Sequence, residues 1–185
     1  MKKRVVFIHG GGEEDYAADA KLAASLQERL GEAYVVHYPL LPNESEPDLG
    51  RKKQIGHEIS KRKGAVILVG HSLGASMLLK YVSEKQIRKK ITGLFLLATP
   101  FWHGEETWKQ GFKLQEDFAG KLPKHVPIFL YQSQDDEVVP IGHLTTYTQH
   151  LPQATVRLLT SGGHQFNNDL SVVANDIKAL ENQSM

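Results

Sequence analysis

The sequence has no cysteine among its 185 residues. Disulfide bonds, zinc sites built on thiolates and a cysteine nucleophile are therefore all excluded. An excess of one charge is also lacking, because 22 lysine and arginine residues balance 21 aspartate and glutamate residues and leave a net charge of +1. A chain with so little net charge has no field that favours nucleic acid or a membrane surface as its partner.

Long hydrophobic runs are absent too. The basic start of the chain is followed by only four apolar residues, Val5 to Ile8, before His9 and Gly10. This run is too short for the apolar core of a signal peptide, and no other run approaches the length of a membrane-spanning helix. We therefore expect a soluble, cytoplasmic protein, and the chain length predicts a single domain over residues 1–185.

What the sequence does have is a regular alternation of apolar β-branched runs with segments of helical periodicity. Six strands are predicted, at 4–9, 34–38, 65–69, 91–98, 128–132 and 155–159. Five helices are predicted, at 15–30, 48–63, 74–84, 141–151 and 169–180. Such alternation predicts an α/β fold with a doubly wound, mostly parallel sheet of about six strands and helices on both faces. Chemically active residues are then expected at the carboxyl ends of the strands.

One motif carries most of the functional signal. Gly70-His71-Ser72-Leu73-Gly74 directly follows the third predicted strand and leads into the third predicted helix. A strand that runs into G-x-S-x-G and then into a helix is typical of a nucleophile elbow, a sharp turn that exposes a catalytic serine. The glycines are needed because side chains at their positions collide where the strand and the helix cross. Ser72 is therefore the candidate nucleophile.

A serine hydroxyl needs a base to take its proton, and the base needs an acid that holds its tautomer. In proteins with this elbow, the acid and then the histidine follow the serine along the chain, each on a loop after a strand. His164 follows the sixth strand and two glycines, so it is the candidate base. Asp135 and Asp136 both follow the fifth strand, and their position alone leaves either of them open as the acid.

The oxyanion that develops during acyl transfer also needs hydrogen-bond donors. The backbone N–H of Leu73, directly after the nucleophile, is the first candidate, and the glycine-rich loop after the first strand is expected to supply the second. Gly11 is our choice there, with Gly12 as the alternative. His71 and His9 are interpreted as residues that pack or order loops rather than as catalytic groups.

The same glycine-rich loop does not fit a nucleotide-binding site. It lacks the third glycine of the dinucleotide pattern, and Glu13, Glu14 and Asp15 follow where a phosphate is expected. A Walker-type loop is missing because no Lys-Ser or Lys-Thr follows a suitable glycine. The histidines have no metal-ligand spacing. We therefore predict neither a cofactor nor a metal ion.

Aromatic residues are concentrated in the stretch 99–127, which has little periodicity. Phe101, Trp102 and Trp108 lie there. Because no lid domain is expected, these three side chains are the candidate wall of an acyl-binding pocket. The alternative is that the rings only cover the sheet.

Taken together, these features resemble an α/β-hydrolase, and within that superfamily the small serine hydrolases related to retinoblastoma-binding protein 9 and the bacterial YdeN-type proteins. The resemblance extends over almost the whole chain and rests on His9-Gly10, Leu41-Pro42-Asn43 with Pro47 and Leu49, the elbow, the segment 133–140 and Gly162-Gly163-His164. It implies a compact fold without a large lid and activity on small acyl esters. It also implies that the catalytic aspartate is the one four residues before Pro140, which is Asp136.

The leading hypothesis is a serine hydrolase that cleaves a small carboxylic ester through Ser72, His164 and Asp136, with a small acyl compound as its partner and an acyl-enzyme as intermediate. A second hypothesis keeps these residues but changes the bond to a thioester, an amide or a lactone. A third is a protein-binding module on an inherited hydrolase fold, since a fold does not fix a function. The presence of all three residues argues against the third.

Overall fold

The computed structural model describes residues 2–11 and 13–182. Its strands are β1 (Lys3–Ile8), β2 (Tyr34–His37), β3 (Val66–His71), β4 (Ile91–Leu97), β5 (Ile128–Ser133) and β6 (Thr155–Leu159). Its helices are α1 (Glu13–Leu30), α2 (Arg51–Ser60), α3 (Leu73–Glu84), α4 (Phe118–Lys121), α5 (Gly142–His150) and α6 (Ser171–Asn182). Each predicted strand and helix is present with its ends within three residues of the prediction. The short helix α4 lies in the stretch that has little periodicity.

The six strands form one sheet in the order β2-β1-β3-β4-β5-β6, and every neighbouring pair is parallel. The predicted α/β fold is confirmed, and the sheet is wholly rather than mostly parallel. Parallel strands all end at the same edge, so the loops after β1, β3, β5 and β6 lie along it. The chain leaves β1 for β2 on one side and returns to β3 on the other. This reversal creates the crevice in which doubly wound proteins bind ligands.

Each face of the sheet has its own apolar core. Along β1, Val6 and Ile8 point to the core beneath α2, α3 and α5, whereas Val5 and Phe7 point to the core beneath α1 and α6. This alternation follows from the two-residue period of a strand. Because both faces are covered, the central strands must be apolar at nearly every position, which is why they were recognisable in the sequence.

Within residues 2–11 and 13–182, no helix combines the length and the apolar character that crossing a bilayer requires.

Candidate active site

Ser72 alone makes the turn between β3, which ends at His71, and α3, which begins at Leu73. Its φ of 52° and ψ of −127° lie in a region that residues with a side chain rarely adopt. The backbone N–H of Ser72 donates to the carbonyl oxygen of Leu97 at 2.9 Å, and its own carbonyl accepts from the N–H of Ala75 at 3.0 Å. The side chain is partly exposed. The turn thus has the strained backbone that a nucleophile elbow requires.

Two glycines of the motif make room for this turn. A Cβ added to Gly70 would lie 2.7 Å from Cα of Ala75, and a Cβ added to Gly74 would lie 2.2 Å from the carbonyl oxygen of His9. Both neighbours are backbone atoms, which do not move aside as the end of a flexible side chain does. The strand β3, the helix α3 and the end of β1 therefore approach each other too closely for any side chain at these two positions.

We expect Gly74→Ala to destabilise the fold by at least about 2 kcal/mol, toward the upper end of the usual cost of overpacking. The physical reason is the clash of the new methyl group with the backbone at the end of β1. Urea unfolding of the variant measures this loss. Gly142→Ala is the matched control, because a Cβ at the start of α5 meets nothing within 4 Å. An unfolding midpoint that stays the same in both variants would contradict the close approach.

His164 and Asp136 are brought together from the loops after β6 and β5. Nδ1 of His164 lies 3.1 Å from both Oδ1 and Oδ2 of Asp136. The Asp136 side chain is only 1% exposed, and that of His164 is 10% exposed. Oδ1 of Asp136 also accepts from the backbone N–H groups of Val138 and Val139 at 2.9 Å each, and Oδ2 accepts from Nε2 of Gln132 at 2.7 Å. The carboxylate is therefore held in one orientation toward the imidazole.

The surroundings of Asp136 also fix its charge. Burial raises the pKa of this carboxyl, but hydrogen bonds from the Val139 N–H, from His164 and from the Val138 N–H outweigh it and hold the pKa below its usual value. An ionised Asp136 only accepts hydrogen bonds, so Nδ1 of His164 must carry its proton toward it. Nε2 is then the nitrogen that can take a proton, which is the tautomer that a general base needs.

Asp135 contacts different groups. This exposed side chain accepts hydrogen bonds from the backbone N–H of Gly162 at 3.2 Å and from that of Gly163 at 2.9 Å. Asp135 therefore holds the loop that carries His164, whereas Asp136 holds the imidazole itself. Sequence position did not distinguish the two aspartates, and their hydrogen bonds do.

The loop that carries His164 is anchored beside Ser72 through the neighbouring residue. Nε2 of His71 lies 2.9 Å from the carbonyl oxygen of His164, and the centroids of the two rings are 4.7 Å apart. Among the hydrogen bonds of residues 2–11 and 13–182, none joins Oγ of Ser72 to Nε2 of His164. The structure thus brings Asp136 and His164 into contact and places them next to the elbow without a direct bond to the serine. Such bonds are often long before substrate binds.

The two predicted oxyanion donors differ in availability. Leu73 is the first residue of α3, so its N–H has no acceptor within the helix. The N–H of Gly11 instead donates to Oδ2 of Asp15 at 2.6 Å, and in this arrangement it is not free to bind an oxyanion. The role of Gly11 as an oxyanion donor stays a prediction, and it requires that this N–H leaves the carboxylate of Asp15. Gly12, the alternative, lies outside the described residues.

A buried carboxylate at this edge was not predicted from the sequence. Asp19 of α1 is fully buried and accepts hydrogen bonds from the Gly10 N–H at 2.9 Å, from Nδ1 of His71 at 2.9 Å and from Nε2 of Gln165 at 3.1 Å. The sequence feature that could have indicated this buried acid is the helical spacing, because Asp19 lies three residues before Leu22 and therefore on the same buried face of α1. An acid on such a face needs polar partners.

Arg51 is a second buried charge that was not predicted. Its guanidinium donates to the carbonyl oxygen of Gly11 and, at 3.1 Å, to Oδ1 of Asn43. It also lies 3.5 Å from Nε2 of His9, which accepts from the Leu41 N–H at 2.9 Å. Burial and the Arg51 charge lower the pKa of His9 to about 4, so this imidazole is neutral at neutral pH. His9 and Arg51 thus order the glycine-rich loop, in line with the interpretation of His9 as a loop-ordering residue.

The three aromatic residues predicted to line a pocket fall into two groups. Phe101 and Trp102 are half-buried and pack against the core on the α3 face. Nε1 of Trp102 donates to Oγ of Ser76 at 2.9 Å, one helical turn after Ser72. Trp108 is 61% exposed. Phe101 and Trp102 pack against the fold, and Trp102 also lies alongside the first turn of α3. That these rings line an acyl-binding pocket stays a prediction.

The candidate catalytic residues lie outside a lysine-lined cavity, and the described residues include no cluster suited to a metal ion. A cavity of about 450 Å³ is lined by Glu46, Asp48, Lys52, Lys53, Lys80 and Lys85, and no candidate catalytic residue takes part in it. In the part of the chain that the structure describes, no group of three or more His, Cys, Asp or Glu side chains is placed to hold a metal ion.

Solved structures share this architecture. The ydeN gene product of B. subtilis superimposes with a TM-score of 0.73 at 18% identity, over 98% of this chain and 100% of that one. The thioesterase domain from the curacin biosynthetic pathway gives 0.73 at 17% identity, over 96% and 91%. The CarC serine hydrolase involved in carbazole degradation gives 0.71 at 14% identity, over 98% and 91%. At these identities the likeness concerns the fold, and it confirms the predicted α/β-hydrolase architecture.

The sequence itself identifies the family within that architecture. Residues 22–171, well over half of the chain, match the family described as Serine hydrolase. The chain belongs to this family, and the protein is a serine hydrolase. No curated protein matches it in sequence.

Proposed function

We propose that the protein hydrolyses small carboxylic esters through a triad of Ser72, His164 and Asp136. The observation that carries the proposal is the buried contact of 3.1 Å between His164 and Asp136, at the same sheet edge as the strained turn of Ser72. Membership of the serine hydrolase family supports the class of reaction. The geometry supports the role of each residue.

In this mechanism Oγ of Ser72 attacks the ester carbonyl carbon while Nε2 of His164 takes the hydroxyl proton. Asp136 stabilises the imidazolium that forms and does not itself take the proton. His164 then protonates the alcohol as the tetrahedral intermediate collapses, which leaves an acyl group on Ser72. A water molecule, deprotonated by His164, attacks this acyl-enzyme, releases the acid and restores the serine.

The tetrahedral oxyanion needs donors that are in place when it forms. The N–H of Leu73 supplies the first. Gly11 supplies a second only if its N–H leaves the carboxylate of Asp15, a bond of 2.6 Å that substrate has to replace. Asp15 therefore competes with the oxyanion for this donor.

The surface around the acid suits an apolar acyl group. Val138 donates its backbone N–H to Asp136 and leaves its side chain 59% exposed, and Ile141, at the start of α5, is 44% exposed. Exposed apolar side chains beside a catalytic group favour an apolar substrate over a charged one. The net charge of +1 likewise supports a small-molecule substrate rather than a polyanion.

A fluorophosphonate probe tests the proposal, because it reacts with a serine only when a base activates the hydroxyl. We expect stoichiometric labelling, with the modified peptide mapping to Ser72 by mass spectrometry. A protein that is folded by circular dichroism yet stays unlabelled would overturn the proposal. So would a label on any other serine.

The bond that is cleaved needs a separate experiment. The same three residues can act on an ester, a thioester or an amide, which differ in the leaving group. A panel that joins one short acyl group to oxygen, sulfur and nitrogen leaving groups of similar pKa compares the three directly. We expect the highest kcat/KM for the oxygen ester. A higher value for sulfur would make the protein a thioesterase with the same triad.

A further inference from the structure

Asp19 contacts residues that adjoin Gly11, Ser72 and His164 of the proposed site. The N–H of Gly10 belongs to the loop after β1, His71 directly precedes the nucleophile, and Gln165 directly follows His164. One side chain of α1 therefore joins the end of β3 and two loops, which come from distant parts of the chain. A carboxylate without exposed surface has to be stabilised by such bonds, since burial of a charge is otherwise costly.

The protonation state of this cluster follows from its hydrogen bonds. His71 is buried, with Nδ1 at 2.9 Å from the Asp19 carboxylate and Nε2 at 2.9 Å from the carbonyl oxygen of His164. The carbonyl only accepts, so Nε2 must carry a proton. Nδ1 needs a proton as well if the carboxylate is ionised, because an ionised carboxylate also only accepts.

The surroundings of Asp19 favour the ionised carboxylate. Apart from His71, the Gly10 N–H donates to this carboxylate at 2.9 Å and Nε2 of Gln165 donates to it at 3.1 Å, and donors of this kind stabilise the ionised form. Of the three groups that hydrogen-bond to Asp19, only His71 can carry a positive charge. The charge of Asp19 also acts on His9, which directly follows β1, but with a pKa of about 4 this imidazole is neutral at neutral pH.

We propose that Asp19 and His71 form a buried ion pair, in which His71 is protonated on both ring nitrogens, and that this pair positions the His164 loop against Ser72. Both are positioning residues, and their role in turnover rests on the proposed ester hydrolysis. His71 acts through its Nε2–H, which holds the carbonyl of His164. Asp19 acts through His71 and through Gln165, so that it fixes the loop at the carbonyl of His164 and at the residue that follows.

Nitrogen NMR on the ¹⁵N-labelled wild-type protein tests the ion pair without any substrate. In neutral buffer we expect His71 to give the signals of a doubly protonated ring, because each of its two ring nitrogens lies 2.9 Å from an oxygen atom that accepts. Through-bond correlation to the His71 backbone assigns them. A ring with a single proton at this pH would overturn the ion pair, whether or not the protein hydrolyses any ester. Failure here is therefore distinct from failure of the proposed function.

Kinetics of Asp19→Asn test the positioning role. We expect kcat for p-nitrophenyl acetate to fall about 10- to 100-fold, with little change in KM, because a small displacement of a catalytic base costs this much. Asp176→Asn is the matched control. Asp176 is also a buried aspartate, and it bonds Tyr131 at 2.8 Å and Arg157 at 2.8 Å without touching the loops of Ser72 or His164.

The two variants separate positioning from stability. Both are expected to lower the melting temperature, since each leaves a buried network with one acceptor fewer. Only Asp19→Asn is expected to lower kcat in the folded protein. Equal kcat values for the two folded variants would overturn the positioning role. If Asp19→Asn does not fold, the state of His71 in the wild-type protein still decides whether the ion pair exists.

Discussion

Replacing Ser72 with alanine is expected to lower kcat on a p-nitrophenyl ester by roughly 10⁶-fold and to abolish fluorophosphonate labelling. The loss is this large because serine, histidine and acid act as a unit, and without Oγ the remaining two have no nucleophile to activate. The fold is expected to survive. Alanine also has a Cβ, so it carries the same strain at a φ of 52° as the serine does. Stopped-flow assays of wild type and variant measure the change.

Ser133→Ala is the matched control for that experiment. Ser133 ends β5, is buried, and its Oγ has no hydrogen-bond partner in residues 2–11 and 13–182. The chemical change is the same, the loss of one hydroxyl near the same sheet edge. We expect activity and labelling close to those of the wild type. A Ser72→Ala variant as active as Ser133→Ala would show that the nucleophile lies elsewhere.

The elbow was predictable because its constraints are local. A single residue with positive φ between a strand and a helix leaves no room for side chains two positions away on either side. Glycine is the only residue that fits both positions, so the sequence pattern predicts the geometry directly. The strands were predictable for a similar reason, because burial on both faces of the sheet requires continuous apolar runs.

The contacts that were missed are those between distant segments. Helical periodicity identifies the buried face of α1 by its apolar residues. It does not indicate which groups form hydrogen bonds with an acid such as Asp19 on that face. Nothing near Asp19 in the sequence indicates that His71 and Gln165 meet it. The hydrogen bond between the Gly11 N–H and Asp15 was not predicted for a similar reason. A glycine shows that the backbone can approach a ligand, but not that the carboxylate of Asp15 already occupies its N–H.

Asp136→Asn is expected to lower kcat by about 10⁴-fold in a protein that still folds. The amide has the size of the carboxylate, and its oxygen can keep the bonds from the Val138 and Val139 N–H groups. Its nitrogen, however, donates toward His164 where the carboxylate accepted. Nδ1 of the imidazole must then be unprotonated, which places the proton on Nε2 and leaves no site for the proton of Ser72. Steady-state kinetics with circular dichroism as a check of folding measure this effect.

Asp135→Asn makes the same chemical change one residue earlier and is the matched control. Asp135 is exposed and bonds only the backbone N–H groups of Gly162 and Gly163, so asparagine loses one acceptor in water-accessible surroundings. We expect kcat to change by less than about tenfold, because the free energy of one exposed hydrogen bond corresponds to at most about this factor. The reverse ranking would assign the acid to Asp135 and make the buried Asp136 contact structural. Small effects in both variants would mean that His164 needs no ionised partner, and the proposed triad would then reduce to a dyad.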